Sequence, residues 1–322
     1  MSTFSDTPLS ITPTTGDTGK GEPILGDDGP RIPLPRRRMG FRRWFRDVGW
    51  RHLVGLAAVA FSLFPLLYVL SVSFNPIGTL TGSNELFRAF DLGNYIDLFS
   101  NPDAPFLKWF LNTLLVGTIS AAGSVLLGAL AAYAFSRMRF TGRRVGLLSL
   151  LLVQMFPQFL AITAIFLLMV TISDIWPQFG LGTHAGLILI YLGGALGVNT
   201  FLMYGFFNTV PTSIDEAAKI DGAGHARIFF TIILRLVAPI LAVVGLLSYI
   251  GVAGEFVIAS IILTSPDSQT LAVGLYTFIS QFQSKNWGVF AAGAVISAIP
   301  IVTLFLFLQK YIVSGLTAGS VK

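Results

Sequence analysis

Six long apolar stretches dominate this chain, near residues 53–75, 109–136, 145–172, 185–208, 236–263 and 288–309. Each can cross a bilayer as a helix, which takes about 20 consecutive apolar residues. Inside lipid the backbone has no water to bond with, so each crossing is expected as a helix with its hydrogen bonds closed internally. No charged residue falls in the first four stretches or the sixth. Only 11% of the 322 residues are charged and mean hydropathy is +0.74; soluble domains carry about 25% charge. The expected fold class is an all-α membrane protein with six transmembrane helices. The second and third stretches exceed what a crossing needs, so tilt or extension beyond the bilayer is expected there.

The distribution of Lys and Arg orients the chain, because basic residues concentrate on the cytoplasmic side. With the N-terminus inside, the tail contributes nine, the 137–144 loop four (Arg137, Arg139, Arg143 and Arg144), the 209–235 loop three (Lys219, Arg227 and Arg235) and the C-terminal end Lys310 and Lys322. Only Arg88, Lys108 and Lys285 fall outside. Both termini are therefore expected in the cytoplasm of a cell whose cytoplasmic membrane holds the chain, and the 209–235 loop with them.

Several function classes drop out on residue types. The chain has no cysteine, which removes disulfides, zinc–thiolate sites and thiol nucleophiles. His52, His184 and His225 are far apart and read as surface or loop residues, not as metal ligands. The one phosphate-loop lookalike, Gly16 to Gly21 with Lys20, has two residues between its glycines where a nucleotide loop needs four, and no strand precedes it. A pI near 9.6 invites a nucleic-acid reading, but the charges sit where membrane topology puts them. No cofactor is expected on this chain, and no nucleic acid.

Residues 1–38 are rich in Thr, Pro, Gly and Asp and read as a disordered cytoplasmic tail. The segment 39–52 interleaves Phe41, Trp44, Phe45 and Trp50 with arginines, as expected of an interfacial helix at the lipid headgroups. Polar residues within spans each need an account. Gln154, Pro157 and Gln158 mark a kink in the third, facing a cavity or serving structure alone. Asn112 and Asn199 read as glue between helices, and Gly193 with Gly197 as a close-approach pair. Glu255 is the only carboxylate within a span. Counted from Leu236 at about 1.5 Å per residue it lies roughly 28 Å up, near the outer boundary. An outer gate or partner contact, a structural pairing and a proton relay all remain open for it.

The loop between the fourth and fifth spans carries SIDEAAKIDGAGHARIFF, residues 213–230. Ser213 followed by Glu216 has capping-box spacing. Asp215 and Glu216 suit the positive end of a helix dipole, and Gly222 and Gly224 are placed to end the helix. About two turns of helix alone in a loop are marginal in water. It must be braced by a partner, into whose groove its alanine face could insert, or by packing back on its own bundle.

Glu216-Ala217-Ala218, three residues, then Gly222 resembles the EAA motif of permease subunits of bacterial ABC importers. The family pattern goes on to I-x-L-P; Ile232 and Leu234 match, but Arg235 stands at the proline position and the next proline is Pro239. AYAFSRMRFTG (132–142), QMFP (154–157), YLGG (191–194), TLAVGLY (270–276) and GLTAGSVK (315–322) are similar to maltose/maltodextrin permease subunits, so the likeness covers about 53–322. The resemblance implies a type I ABC importer permease fold. It divides the chain into a first helix and outer loop (53–108), a permease core (109–312) with coupling loop 209–235, and a cytoplasmic tail (313–322). It implies that Glu216, Ala217, Ala218, Asp221 and Gly222 contact an ATPase subunit. It also implies that a loop at 264–287, beginning Asp267, Ser268, Gln269 and Thr270, meets a solute-binding protein. The implied partners are a second permease subunit, an ATPase dimer carrying ATP and Mg, the extracytoplasmic solute-binding protein and membrane lipids. The chain itself would be no enzyme. A stand-alone channel or ion-coupled carrier is the rival class, with Glu255 as its only charged candidate within a span.

Overall fold

The structure, a computed structural model, describes residues 45–77, 86–280 and 286–318. The tail 1–38 with its Gly16–Gly21 stretch, the first part of the 39–52 segment, and residues 319–322 lie outside the described residues. Two units are described separately, residues up to Leu63 and residues from Phe64 onward. In the first, a single π-helical turn, Phe45–Gly49, runs straight into helix α1 (Trp50–Ser73).

The second unit is helical throughout the described residues. It contains α2 (Gly93–Ser100), α3 (Phe106–Arg137), α4 (Arg143–Gln154), α5 (Gln158–Ile175), α6 (His184–Ala195) and α7 (Val198–Phe207). After them come α8 (Thr212–Ile220), α9 (His225–Leu236), α10 (Ala238–Ala253), α11 (Val257–Ile262), α12 (Leu271–Ser280) and α13 (Trp287–Ala318). Among the described residues three helices are long and apolar enough to cross a membrane unaided: α1, α3 and α13. Two bent pairs, α6 with α7 at 51° and α9 with α10 at 81°, raise the number to five if each pair is one crossing.

α3 is the spine, packing against α6, α7, α10 and α12. It can do so because its contact face is built from small residues: Gly117 meets the Tyr249 ring, Gly123 meets Leu192, and Gly128 lies against Asn199 and Met203. Small residues let helix axes approach where no hydrophobic driving force separates protein from lipid. Near the N-terminal end of α3, Trp109 packs with Phe106, Leu98, Leu271, Leu275 and Phe278. Near its other end, Ala129, Ala132 and Tyr133 pack with Met203, Phe207, Ala218, Ile228, Phe229 and Ile233.

Three of the expected spans are interrupted, the third at the kink expected of Pro157 and the fourth and fifth where no break was expected. The third breaks between Gln154 and Gln158, where Pro157 cannot donate a helical hydrogen bond and Gln154 instead gives its Nε2 to the Gly194 carbonyl at 2.7 Å. The fourth bends at the same contact, since a Cβ on Gly197 would lie 2.2 Å from the Gln154 side chain. The Gly193–Gly197 pair therefore does not work as a helix–helix seam: Gly197 accommodates Gln154, and Gly193 has open space beside it. The fifth ends at Ala253 and restarts at Val257.

The missing proline at Arg235 also finds its account here. α9 continues through Arg235 to Leu236, and the chain turns at Val237. Pro239 then sits in the first turn of α10, where its absent N–H costs nothing.

Candidate functional site

α3 has polar structures at both ends, and Trp109 and Arg137 are about 42 Å apart along it at 1.5 Å per residue. That exceeds the hydrocarbon thickness of about 30 Å. α3 is therefore long enough to place its two ends at opposite faces of a membrane.

At the C-terminal end of α3 stands α8, carrying the alanine-rich motif. Ser213 does not cap it. The helix starts at Thr212 with extended Pro211 as its N-cap residue, and no side chain caps the N-terminus. Ser213 is already inside the first turn, and a capping hydroxyl must precede that turn. The other end follows sequence closely. The Ala223 N–H bonds the Ala218 carbonyl at 2.9 Å and the Gly222 N–H bonds Lys219 at 3.0 Å, with Gly222 at φ +79°. This is a Schellman motif with glycine in the left-handed position. Gly224 is extended and begins α9, so it does not terminate α8.

Of the two bracing schemes left open for this helix, packing back on its own bundle is the one the structure displays, and it uses one face only. Ile214, Asp215 and Ala218 point inward, and Ala218 is buried against the bundle. Ala218 thus differs from its four companions: Glu216, Ala217, Asp221 and Gly222 are all exposed. Between them Ile220 is 87% exposed, the most exposed large apolar side chain described. Inward, Asp215 Oδ2 meets Arg137 Nε at 3.0 Å, with both side chains 6% exposed. Arg137 also donates from Nη2 to the Val210 carbonyl at 2.7 Å. Sequence reading missed this contact, counting Arg137 only as topological charge and Asp215 only as a partner of the helix dipole.

At the other end of α3 the segment 266–271 is held by side chains. Trp109 Nε1 donates to the Pro266 carbonyl at 2.8 Å, and Asn112 Nδ2 to the Asp267 and Gln269 carbonyls at 2.9 Å each. The Leu271 N–H donates to Thr113 Oγ1 at 2.7 Å, and His184 Nε2 lies 2.8 Å from the Ser268 carbonyl. The expected long outer loop needs correcting: its middle, Leu271–Ser280, is α12, a helix whose Leu271, Leu275 and Phe278 are core residues. Of the four side chains named for its start, Asp267 alone is exposed, beside Lys108 Nζ at 2.9 Å, while Ser268 and Gln269 are half-buried and Thr270 is buried. Asn112 is glue, as expected, and Asn199 likewise, through Nδ2 to Ser248 Oγ at 3.2 Å. Asn112→Leu is expected to strand two carbonyls. It should cost about 1 kcal/mol, the net worth of an ordinary hydrogen bond at a partly exposed site, read as a lower unfolding temperature of the purified protein with its helix content unchanged.

Glu255 occupies the break between α10 and α11. Its Oε1 accepts from the Ile258 N–H at 2.8 Å, and its Oε2 from the Ala259 N–H at 2.9 Å and the Tyr191 hydroxyl at 2.7 Å. Structural pairing, one of the three readings open for it, describes this geometry. Among the described residues no cluster of His, Cys, Asp or Glu could hold a metal ion.

Long apolar helices around a small-residue spine, with polar assemblies at both ends and several crossings broken, define an integral membrane protein built for transport. The chain belongs to the family of binding-protein-dependent transport system inner membrane components, whose family model matches residues 124–318. It is 40% identical over 285 residues to the galactooligosaccharides transport system permease protein GanQ of Bacillus subtilis (strain 168), covering 88% of this chain and 98% of GanQ. It is 41% identical to the maltodextrin transport system permease protein MdxG of the same organism, over 81% of this chain and 91% of that one. With the maltose/maltodextrin transport system permease protein MalG of Escherichia coli (strain K12) it shares 40% identity, over 84% of this chain and 94% of MalG. The fold is that of a chain in the crystal structure of a bacterial ABC transporter that imports the acidic polysaccharide alginate. The TM-score is 0.68 at 23% identity, covering 85% of this chain and 99% of that one. A chain from that type of transporter in complex with an alginate pentasaccharide-bound periplasmic protein matches with TM-score 0.58 at 15% identity, over 83% of this chain and 96% of that one.

Proposed function

We propose that this chain is one of two permease subunits of an ATP-driven ABC importer for oligosaccharides of the maltose/maltodextrin type. It crosses the bacterial cytoplasmic membrane six times with both termini in the cytoplasm, forms half of the translocation pathway, and takes its energy from a separate ATPase dimer that carries ATP and Mg. The names of the relatives support the sugar class. The charge distribution supports the orientation, since Arg137, Arg139, Arg143 and Arg144 lie at the α8 end of α3 while Lys108 lies at the other.

The observation that carries coupling is the outward face of α8. Glu216, Ala217, Ile220 and Asp221 form a small exposed surface on a helix fixed from behind by a buried ion pair. A largely exposed isoleucine on an otherwise polar knob suits insertion into a groove of a partner, as amphipathic helices do. At the opposite end, exposed Asp267 and the neighbouring residues 264–266 form the surface offered to the solute-binding protein, a narrower contact than the full loop.

The test is reconstitution of this chain with its second permease, the ATPase and the binding protein in liposomes. Uptake of labelled maltodextrin is expected only with internal ATP, with an unlabelled galactooligosaccharide as the competing sugar. ATP-independent uptake by this chain alone overturns the proposal. In the same complex Ile220→Asp is expected to lower co-purified ATPase about tenfold, the size of effect that about 1.4 kcal/mol of binding energy makes. Wild-type retention of the ATPase would remove α8 from the interface.

A further inference from the structure

Arg137 grips the α8 segment at two points. Its guanidinium holds the Val210 carbonyl just before the helix and the Asp215 carboxylate one turn into it. One turn earlier on α3, the Tyr133 hydroxyl lies 3.5 Å from His225 Nδ1, and its ring stands 5.1 Å from that of Phe229. The last two turns of α3 therefore hold the chain on both sides of α8.

The ion pair is poorly arranged for stability alone. Asp215 Oδ1 has no hydrogen-bond partner, and the contact between Nε and Oδ2 is close without being aligned as a hydrogen bond. Buried pairs with unmet lone pairs are often matched or bettered by apolar residues of the same volume. What such a pair does supply is an attraction that a medium of low dielectric strengthens, so separating the two charges there is costly. A displacement of α8 must carry α3 with it or break the pair. α3 is packed against α6, α7, α10 and α12, so its movement is distributed through the core.

We propose that Arg137 and Asp215 form the pin that transmits movement of α8 into the membrane helices. Both are positioning residues for energy coupling and lie behind the contact face. The proposal rests on the reading of α8 as the helix that meets the ATPase. It concerns the step after docking, so docking and transmission come apart under mutation.

The experiment uses the whole reconstituted transporter and reads sugar moved per ATP hydrolysed, a ratio that loss of folded protein does not change. The double variant Arg137→Met with Asp215→Leu is expected to keep the ATPase bound and hydrolysing while the ratio falls at least tenfold. Arg137→Lys, which keeps the charge but loses the two-point grip, is expected to recover part of the ratio. A wild-type ratio in the double variant overturns the pin. If that variant does not assemble, Asp215→Asn keeps the volume and decides by the same measure: an unchanged ratio overturns the proposal and a tenfold fall supports it. Ile220→Asp separates the two readings. If it releases the ATPase while the pair variants leave the ratio unchanged, the pin alone is wrong. If Ile220→Asp also changes nothing, the docking reading falls and the pin falls with it.

Discussion

Gly222→Val is expected to abolish sugar uptake by the assembled transporter, and Gly222→Asn to preserve most of it. The difference follows from one dihedral. Gly222 sits at φ +79°, and an added Cβ would meet nothing within 4 Å, so space is not the constraint. The left-handed conformation costs an ordinary L-residue about 1–2 kcal/mol, most for β-branched side chains and least for asparagine. Valine would push the backbone away from that region and break the two bonds from Gly222 and Ala223 that close α8. The α8 helix is nine residues long, too short to survive an unravelled end without its tertiary contacts. Its outward residues Ile220 and Asp221 adjoin that closure and would lose their geometry first. Gly222→Asp should fall between the two, because aspartate tolerates the left-handed region but places a second carboxylate beside Asp221. Uptake and ATPase co-purification measured across the three variants check the order. Equal activity in all three would show that the termination of α8 is not what Gly222 serves.

The parts of this molecule that sequence displayed are those where one physical rule acts without competition. α1, α3 and α13 are single apolar helices because lipid demands it; α1 and α3 fall within a few residues of the expected stretches, and α13 starts where expected and continues to Ala318. The end of α8 was equally plain, since only glycine sits easily where the chain reverses its hand. The misses share a different cause: tertiary contacts overrode the local signal. Ser213 and Glu216 have the spacing of a capping box, but Pro211 claims the cap position and starts the helix two residues early. The run LAVGLYTFIS reads as a stretch of outer loop. It folds as α12 because Trp109 lies against it, with Gly274 giving a Cβ-free surface where any side chain would come within 2.1 Å of the indole. The Arg137–Asp215 pair joins residues 78 positions apart, and no pattern within either segment announces it. One signal was available: an arginine closing a long apolar helix, and a carboxylate immediately preceding the motif's exposed glutamate.

Glu255→Ala is expected to leave little assembled transporter, and Glu255→Gln to leave a partly stable and active one. The carboxylate spans the break between α10 and α11 and collects three donors: two backbone N–H groups at the start of α11 and the Tyr191 hydroxyl. Alanine removes every acceptor at once. Hydrogen bonds to a charged group are worth about 1.5–3 kcal/mol each, so even with strong non-additivity the loss should reach roughly 3 kcal/mol, a large part of a typical domain's stability. Glutamine retains one acceptor oxygen but turns an amide NH₂ toward donors, which makes it an intermediate repair. If the residue serves only to join the two helices, activity should track the amount of folded complex across glutamate, glutamine and alanine, and the dependence of uptake on pH should keep its shape in Glu255→Gln. Tyr191→Phe, which removes one donor and leaves the cap on Ile258 and Ala259, should then be nearly neutral in uptake. A proton relay or a gate makes the opposite demand. Glu255→Gln would be fully folded, bind the ATPase normally and transport nothing, and no hydrogen bond at the α11 terminus could explain that result.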